Sequence, residues 1–599
     1  MLTHSKYMSR LLCLLLCLAL AFSLLTACNM GKDSNESGNS STASDTIDDN
    51  PSDVVEDPAS SETDTAGDET WGTDIGTDTG NNGGGSTTVP EEEPEEITSL
   101  KVYNGSAPLT TQYRGVSGSV YHAFGFMKDD ATGRVYTDEM MNLELSRLQE
   151  AGVRYCRTRY SSSWMWDSTL GWNFESKRMN YFYDFANALQ DRGLNIVLTL
   201  GWHFNYIVPI PGKSSGIGEV AYLYGEGEDR YGESAGYDFS NLNADYTRYA
   251  KAAMRYGYWY AETLKACRAR GINNITHLLY FTEPSYETTT TPEGLYAAEY
   301  LFISKAIKSK LVAEGVADTV KHVGPNQGSI KHGNGLLRYV LERQPDLFDV
   351  YTAHVYPDSN DITSNVYYDV ILPVFQSYTQ PLKDVGVWQK KEFWVDEFYC
   401  RSEQMKLGAD SPWAGLQTVI GAILAQQEGI NNISLWQIFD QLWTDQTNTG
   451  GEFVNGIHVC GSAPSLFVSS IPRGQYYPTS LFARYNGFQN GKSYRTNEHE
   501  NQADYEKGNL GLHIGAAQLE DGNWTITVVN TDLEDATFSV TFDKAINKTL
   551  YRHVENVTTL VSTTAAHLAD ADKTYVNVGD KFIDTIPGGS VVIYTSIKG

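Results

Sequence analysis

Three features are scarce in this sequence: cysteine pairs, clusters of basic residues and long apolar segments. None of the seven cysteines forms a Cys-x-x-Cys pair, and none has histidines at the spacing of a zinc site. We therefore expect no metal site and no metal or organic cofactor. Four cysteines follow residue 28, and the sequence leaves open whether they form a disulfide or stay as buried thiols. These four are Cys156, Cys267, Cys400 and Cys460.

Basic residues are outnumbered, since 45 Lys and Arg face 74 Asp and Glu, which gives a net charge of −29. No basic patch or stripe interrupts the acidic excess, which argues against nucleic-acid binding. Residues 29–97 hold nineteen of the acidic residues and one lysine. Because this segment is rich in Ser, Thr and Gly and has almost no apolar side chains, it cannot bury enough surface to fold. It is predicted to be a disordered acidic tether.

The apolar run at residues 11–25 is too short to span a bilayer comfortably, and it follows Lys6 and Arg10 as in a secretory signal. It leads into Leu-Thr-Ala-Cys28, which looks like a bacterial lipobox. Residues 1–28 are therefore predicted to be a lipoprotein signal peptide, with Cys28 as the lipidated N-terminus. An uncleaved anchor or another cleavage site is the alternative. We expect an exported protein that faces the outside and touches the membrane only through its lipid.

What the sequence does contain is a repeated unit. A helical pattern ends at a glycine and a short buried strand follows, with joints at Gly152, Gly193, Gly271 and Gly429. Helices that alternate with buried strands are typical of α/β proteins with a parallel sheet. Eight such strands close a (β/α)8 TIM barrel. We assign them near residues 120–126, 153–159, 194–200, 277–283, 322–326, 350–356, 392–398 and 433–439.

The pattern changes near residue 490. Short β-rich runs with Asp-Gly, Asn-Thr-Asp and Pro-Gly-Gly turns predict a C-terminal antiparallel β-sandwich at residues 491–599. The barrel domain is assigned to residues 98–490, of which 98–114 could instead pair with the sandwich. An insertion at residues 202–243 is rich in Gly and Tyr, and we interpret it as one wall of a cleft. A disordered surface loop is the alternative.

Two glutamates end apolar strands of the predicted barrel. Glu283 follows a run that stops at Thr-Glu-Pro, and Glu397 ends the run that begins at residue 392. Both therefore fall at the C-terminal rim, where the active sites of such barrels lie. Strict alternation places Glu397 on one face of its strand and Asp396 on the other. Asp396 is the nearest rival as nucleophile and Glu287 as acid, and structural ion pairs at the rim are the further alternative.

Two opposed carboxylates can hydrolyse a glycosidic bond, one as the proton donor and the other as the nucleophile. With glutamates at the ends of strands four and seven, the sequence resembles the clan A glycoside hydrolases. Its plan of barrel plus β-domain is similar to family thirty-nine, the β-xylosidase-like enzymes. The resemblance implies that Glu283 is the acid/base and Glu397 the nucleophile of a retaining enzyme.

The resemblance also implies roles for residues on other strands. Arg157, which ends a Gly-x-x-x-x-Arg run, is expected to hydrogen-bond near the nucleophile. His354 and Tyr356 resemble the pair that orients the nucleophile, and Trp436 resembles the tryptophan that forms the floor of the sugar subsite. The alternatives are structural: Arg157 as a solvated or ion-paired arginine of the barrel, His354 as a core histidine with satisfied hydrogen bonds, and Trp436 as an ordinary core residue. Weaker candidates for the pocket are His122, Trp202, His203 and Asn326.

Thr282 is where the sequence departs from the clan. The clan usually has asparagine before the acid glutamate, where the amide contacts the sugar 2-hydroxyl. Threonine offers one donor and two lone pairs on a shorter arm, so we expect the substrate contact to be either altered in geometry or replaced by a water molecule. The predicted function is retaining hydrolysis of a β-linked polysaccharide or oligosaccharide at the cell surface. The alternatives are a non-catalytic glycan-binding protein on a decayed barrel and a two-lobed solute-binding lipoprotein.

Overall fold

The structure is a computed structural model. It describes residues 97–120, 138–160, 166–167, 171–200, 204, 207–208, 229, 231–284, 296–328, 334–356, 370–398, 411–436, 438, 442–443, 452–454, 457–459, 467–468, 471–499, 511–560 and 567–598. Within these residues, no helix is both long and apolar enough to cross a membrane. Cys28 and residues 29–96 of the predicted tether lie outside the described residues.

Eight parallel strands form a closed barrel, so the predicted fold class is confirmed. With strands numbered along the whole chain, the barrel consists of β2 (Gly115–Ser119), β3 (Tyr155–Tyr160), β6 (Asn195–Leu200), β7 (Ile275–Leu279), β8 (Lys321–Gln327), β9 (Val350–Val355), β10 (Glu392–Phe398) and β11 (Asn432–Leu435). Each strand pairs with the next barrel strand in the chain, and β11 pairs with β2 to complete the circle. A closed barrel of this kind excludes the two-lobed alternative.

The first barrel strand is the one that the sequence pattern places wrongly. The pattern predicts it near residues 120–126, but β2 ends at Ser119, and residues 121–126 lie outside the described residues. The sequence of β2 is Gly-Val-Ser-Gly-Ser, so a single apolar side chain marks it and no apolar run identifies it. The strand predicted to reach Glu283 is also shorter, because β7 ends at Leu279.

Helices surround the barrel strands. They are α1 (Asp138–Glu150), α2 (Lys177–Asp191), α3 (Ala244–Ala269), α4 (Ala297–Ala313), α5 (Gly335–Arg343), α6 (Leu372–Asp384), α7 (Pro412–Gln427) and α8 (Tyr476–Asn486). The predicted glycine joints Gly152, Gly193, Gly271 and Gly429 all have a positive φ, between 70° and 78°. This left-handed conformation ends a helix and is strained for residues with a Cβ, so these glycines determine where the helices stop.

The remaining long strands form two further sheets. They are β1 (Thr98–Val102), β17 (Gly491–Tyr494), β18 (Leu512–Leu519), β19 (Trp524–Asn530), β20 (Ala536–Phe542), β21 (Lys548–Asn556), β22 (Lys573–Val578), β23 (Lys581–Ile586) and β24 (Ser590–Thr595). One sheet has the order β17-β18-β19-β24-β21-β22 and is antiparallel; the other has the order β1-β20-β23. Side chains of both sheets form one apolar core, as in a β-sandwich. Only the pair β1 and β20 departs from the antiparallel pattern among these described strands, because it is parallel.

Short strands and single turns complete the described structure. The short strands are β4 (Trp166–Asp167), β5 (Gly171–Trp172), β12 (Leu442–Trp443), β13 (Glu452–Val454), β14 (Ile457–Val459), β15 (Phe467–Val468) and β16 (Ile471–Pro472). Two 3-10 turns lie at Ala317–Thr319 and Asn497–His499.

The barrel and the β-sandwich are packed against each other. Val529, Val591 and Ile593 of the six-stranded sheet belong to the same apolar cluster as Leu416 and Ile423 of α7. The six-stranded sheet therefore buries one face against the smaller sheet and the other against the helices of the barrel. The two parts share apolar surface that each would expose alone.

The barrel interior is filled with apolar side chains before the rim is reached. The interior cluster consists of Tyr155, Val197, Leu279, Val323, Val350 and Trp394. At the N-terminal end of β10, Glu392 is 2% exposed; it accepts hydrogen bonds from Arg114 and Lys321 and, at 2.9 Å, from Nε1 of Trp394. Beyond this apolar layer, a second group of polar side chains gathers at the C-terminal rim.

Two of the four cysteines beyond residue 28 are described, and neither forms a disulfide. Cys156 and Cys267 are buried free thiols. Burial raises the pKa of each thiol to about 12, which keeps both protonated and unreactive. Cys400 and Cys460 lie outside the described residues.

Candidate active site

Glu283 lies just beyond the end of β7 in a backbone conformation that is unusual for glutamate. Its φ is 44°, in the left-handed region that residues with a Cβ rarely adopt. Its backbone N–H donates to Oδ1 of Asn326, with 2.6 Å between the two atoms. Asn326, in β8, also has a positive φ, of 59°. Strained positions persist where their surroundings hold them, so Asn326 helps to fix the point from which the Glu283 side chain extends.

Glu397 reaches the barrel interior because the register of β10 shifts near its end. The shift lies between Val395 and Glu397 against β9, and between Val395 and Phe398 against β11, as at a β-bulge. Trp394 belongs to the interior cluster, whereas Phe398 packs in the outer one. Asp396 and Glu397 both turn inward, with exposed fractions of 4% and 3%. Strict alternation, which separates these two carboxylates, is therefore wrong at this position.

Arg157 on β3 connects residues from two other strands. Its Nη1 donates to Oε1 of Glu397 at 2.5 Å and to the main-chain oxygen of Asp396 at 3.2 Å. Its Nη2 donates to Oγ1 of Thr282 at 3.3 Å. The arginine side chain is 2% exposed. A buried guanidinium that donates in several directions holds its partners in one geometry, because its donors form a rigid fork.

His354 on β9 stands between the two glutamates. Its Nδ1 lies 2.6 Å from Oε1 of Glu283 and 3.1 Å from Oε2 of Glu397. Its Nε2 lies 3.6 Å from Oδ1 of Asp396. Burial lowers the pKa of His354, although the negative charges of Glu397 and Asp396 act in the opposite direction. The imidazole is therefore neutral at neutral pH and carries a single N–H.

Tyr356 follows β9 and completes the environment of Glu397. Its hydroxyl donates to Oε2 of Glu397, while Arg157 donates to Oε1. Each oxygen of Glu397 thus accepts a hydrogen bond from a different element. The rings of His354 and Tyr356 meet edge to face, with centroids 6.1 Å apart. Donors on both oxygens suit a carboxylate that accepts only.

Asp396 has a different environment from Glu397. Its Oδ2 accepts a hydrogen bond from Nδ2 of Asn326, and its Oδ1 has no hydrogen-bond partner among the described residues. Burial raises the pKa of Asp396, against the opposing effects of His354 and Arg157. Asp396 is thus a buried carboxyl group at the bottom of the site, whereas the Glu283 side chain is 19% exposed.

The two glutamates come close together. An oxygen of Glu283, an oxygen of Glu397 and a ring nitrogen of His354 all lie within 4.8 Å of one another. These three groups are also the cluster of described residues that could bind a metal ion. However, Nδ1 of His354 and Oε1 of Glu283 are 2.6 Å apart. Two ligands of a tetrahedral ion with bonds of ~2.1 Å would be roughly 3.4 Å apart, so the arrangement is that of a hydrogen bond.

The remaining predicted residues divide into those that reach the site and those outside the described residues. Trp436 follows β11 and is 9% exposed; its ring centroid lies 5.8 Å from the guanidinium carbon of Arg157. The structure therefore brings together Glu283, Glu397, Arg157, Thr282, Asn326, His354, Tyr356 and Trp436. Residues His122, Trp202, His203 and Glu287 lie outside the described part of the chain.

Sequence reasoning missed one structural relationship in this group. Asp396 is predicted only as a rival nucleophile, but the structure connects it to Glu283 through Asn326 and places it beside His354. Two adjacent acids at the end of an apolar strand are the sequence signal that could indicate such a buried pair.

No protein-family model matches the sequence, and no curated protein matches it. Solved structures do resemble it in fold. A GH30 endoxylanase from Clostridium papyrosolvens is 14% identical with a TM-score of 0.53, and the match covers 83% of this chain and 100% of that chain. A GH39 enzyme from Xanthomonas axonopodis pv. citri is 12% identical with a TM-score of 0.51, covering 85% of this chain and 100% of that chain.

A third solved structure, a conserved exported protein from Bacteroides fragilis, is 11% identical with a TM-score of 0.53. The match covers 83% of this chain and 100% of that chain. At these identities the likeness shows a shared fold. Each match spans essentially the whole of the other chain, so the barrel and the β-sandwich are shared together.

Proposed function

We propose that the protein is a retaining glycoside hydrolase in which Glu283 is the acid/base and Glu397 the nucleophile. The observation that carries the proposal is the approach of their carboxyl oxygens to within 4.8 Å at the C-terminal rim of the barrel. Retaining glycosidases have their two carboxyl groups ~5–5.5 Å apart, and inverting ones ~6.5–9.5 Å. The fold shared with a GH30 endoxylanase and a GH39 enzyme supports the same class of reaction.

In the first step, Glu397 attacks the anomeric carbon and the bond from that carbon to the leaving oxygen breaks. Glu283 gives its proton to the leaving oxygen, and a covalent glycosyl ester forms on Glu397. Arg157 and Tyr356 hold the two oxygens of Glu397, so the carboxylate does not have to reorient before it attacks. Glu283 is the more exposed of the pair, which suits a group that exchanges protons with solvent.

In the second step, a water molecule loses a proton to Glu283 and attacks the same anomeric carbon. Glu397 leaves as a carboxylate, and the product keeps the configuration of the substrate. Thr282 accepts a hydrogen bond from Arg157, and its own O–H is available to donate to a sugar hydroxyl. Trp436 at the rim offers an apolar face to a sugar ring.

The substrate class that we propose is a β-linked polysaccharide or oligosaccharide, and the proposed location is the outer face of a bacterial cell membrane, anchored through Cys28. The fold shared with an exported protein from Bacteroides fragilis accords with export. Metabolic labelling with a fatty acid, followed by membrane fractionation, tests the anchor. We expect label and membrane association in the wild type and neither in Cys28→Ser.

Hydrolysis is tested with aryl β-glycosides and plant polysaccharides, using the wild type, Glu283→Ala and Glu397→Ala. We expect turnover by the wild type, a loss on the order of 10⁴-fold or more in Glu397→Ala, and a β-configured first product by NMR. Glu342→Ala on α5, where the glutamate side chain is 48% exposed, is the matched control and should behave as the wild type.

Two results would overturn the assignment of the residues. Full activity in both glutamate variants would place the chemistry elsewhere. A 2-fluoro sugar inactivator should label Glu397, and label on Asp396 would identify a different nucleophile. Binding of glycans by the wild type without any turnover would favour the glycan-binding alternative.

A further inference from the structure

We propose that Asp396 is a positioning residue that keeps the catalytic proton on Glu283, because it determines which nitrogen of His354 carries the hydrogen. The inference rests on the proposed function, in which Glu283 is the acid. That function assigns no role to Asp396, which touches neither the leaving oxygen nor the anomeric carbon in the steps above.

Asp396 is connected to Glu283 by two routes. Through Asn326, its Oδ2 accepts from the amide nitrogen, and the amide oxygen accepts from the Glu283 backbone at 2.6 Å. Through His354, its Oδ1 lies 3.6 Å from Nε2, and Nδ1 lies 2.6 Å from Oε1 of Glu283. Neither Oδ1 of Asp396 nor Nε2 of His354 has a hydrogen-bond partner among the described residues, and both atoms are buried. These two unpaired atoms therefore face each other.

When Asp396 is ionised, as the nearby Arg157 and the hydrogen bond from Asn326 favour, a single hydrogen on the His354 ring satisfies this arrangement in one way. When it lies on Nε2, it points to the Asp396 carboxylate, and Nδ1 is left as an acceptor for the O–H of Glu283. When it lies on Nδ1, the lone pair of Nε2 faces a carboxylate oxygen, and two buried acceptors oppose each other without a donor. The first arrangement gives Oδ1 of Asp396 and both ring nitrogens a partner, leaves Oε2 of Glu397 to the Tyr356 hydroxyl, and requires Glu283 to be protonated.

The charges around the His354 ring also favour a protonated Glu283. Three carboxyl groups approach His354, those of Glu283, Asp396 and Glu397. Arg157 is the cation that contacts this group within the described part of the chain, and it lies against Glu397 at 2.5 Å and Asp396 at 4.0 Å. One proton on Glu283 reduces the repulsion among three acids that share one guanidinium.

The substitution Asp396→Asn tests whether Asp396 determines which nitrogen of His354 carries the hydrogen. Asn326 donates through Nδ2 because its Oδ1 is already committed to the Glu283 backbone. The introduced amide must therefore place its oxygen towards Asn326 and its NH2 group towards Nε2 of His354. The ring hydrogen moves to Nδ1, and Glu283 becomes the acceptor and loses its proton. A change of one atom in a residue outside the chemistry should then remove acid catalysis.

The kinetic test compares leaving groups. For phenyl glycosides, which need an acid, we expect Asp396→Asn to lower kcat/KM by on the order of 10²-fold or more. For 2,4-dinitrophenyl glycosides, which leave without a proton, we expect a change of only a few-fold. The alkaline limb of the kcat/KM profile, which reports the acid, should move to lower pH. Thr352→Val is the control, because Thr352 is also a buried residue of β9 with an unpaired hydroxyl. This variant should leave kcat/KM unchanged for both the phenyl and the 2,4-dinitrophenyl glycosides.

A second measurement does not depend on activity. In full-length protein labelled with 15N-histidine, the nitrogen shifts report which ring nitrogen is protonated, and His354→Gln identifies the signal. We expect hydrogen on Nε2 in the wild type and on Nδ1 in Asp396→Asn. A wild-type ring protonated on Nδ1 overturns the proposal even if the variant fails to fold.

The remaining outcomes separate this proposal from the proposed function. Equal losses for both leaving groups with an unchanged tautomer would overturn the role of Asp396 while hydrolysis by the wild type stands. The expected tautomers together with no hydrolysis of any substrate would support the role of Asp396 in placing the proton and overturn the function.

Discussion

Arg157 and Glu397 come from strands that are not neighbours, yet Nη1 of the arginine lies 2.5 Å from Oε1 of the glutamate. Their strands, β3 and β10, have β2 and β11 between them in the barrel. The contact therefore crosses the barrel interior and depends on the closed circle of strands. It makes the geometry of the candidate nucleophile a property of the whole barrel.

Arg157→Lys should separate charge from geometry. A lysine keeps the positive charge, but its single nitrogen cannot occupy the positions of both Nη1, which contacts Glu397 and Asp396, and Nη2, which contacts Thr282. We expect kcat on aryl β-glycosides to fall on the order of 10–100-fold, since a hydrogen bond to a charged group contributes about 1.5–3 kcal/mol. Circular dichroism should show a folded protein. An unchanged kcat would mean that only the charge matters.

Tyr356→Phe should weaken the other side of the same carboxylate. The substitution removes the hydroxyl that donates to Oε2 of Glu397 and leaves the ring. We expect kcat to fall on the order of 10-fold or more for the same physical reason. The control is Tyr339→Phe on α5, a tyrosine whose ring lies beneath Arg343 on the outside of the barrel. A loss of equal size in both variants would contradict a specific role for Tyr356.

Glu392→Gln should change the response of stability to acid. Burial alone would raise the pKa of Glu392, but Arg114 and Lys321 outweigh it and lower the pKa to about 2. The unfolded chain titrates near ~4.3, so the stabilisation is complete above that pH and is lost as pH falls towards about 2. At pH 7 the variant should lose about 3 kcal/mol in the free energy of unfolding. Urea denaturation at pH 7, 4 and 3 measures both effects, and a difference that persists unchanged at pH 3 would contradict the argument.

Glu555→Gln should show the opposite dependence. Burial raises the pKa of Glu555 to about 7, although the backbone N–H of Ala569 opposes the shift. The protonated form is therefore favoured in the folded protein, and its stabilising effect is lost as pH rises from ~4.3 through about 7. At pH 8 the variant, which keeps a neutral side chain, should be more stable than the wild type by up to about 4 kcal/mol. Thermal melting at pH 5 and pH 8 measures the difference in stability between the variant and the wild type. An equal difference at both pH values would refute the prediction.

Two glycines with the same backbone conformation should respond differently to alanine. Gly115 and Gly193 have φ values of 69° and 70°. A Cβ on Gly115 would lie 1.3 Å from the main-chain oxygen of Asn486, whereas no atom lies within 4 Å of one on Gly193. We expect Gly193→Ala to cost about 1–2 kcal/mol and Gly115→Ala more than about 4 kcal/mol in the free energy of unfolding. Equal costs would show that α8 does not constrain the first barrel strand.

The repeated joints made the fold predictable. Gly152 and Gly429 mark helix ends because the left-handed conformation they adopt is costly for other residues, so a local rule carries information about the whole architecture. The position of β2 was not predicted, because its residues are small and it is buried by neighbouring strands. The local sequence carries no information about those neighbours.

The candidate site was predictable to the level of strand ends and no further. Glu283 and Glu397 stand where apolar runs stop, and that signal is local. The inward turn of Asp396 depends on a register shift against β9 and β11, and the hydrogen bond from Glu283 to Asn326 joins residues on different strands. Periodicity describes one strand at a time, so it cannot predict contacts that arise from the pairing of several.

The pairing of β1 with a C-terminal strand limits where recombination can divide this chain. The first strand of the described chain lies in the smaller sheet, where the Leu100 main-chain oxygen accepts a hydrogen bond from Thr541, 441 positions later. In the order of the sequence, the barrel is thus nested within the β-sandwich. A crossover near residue 490 would join β1 to a sheet from a different ancestor. We expect the two parts to be inherited and transferred as one module.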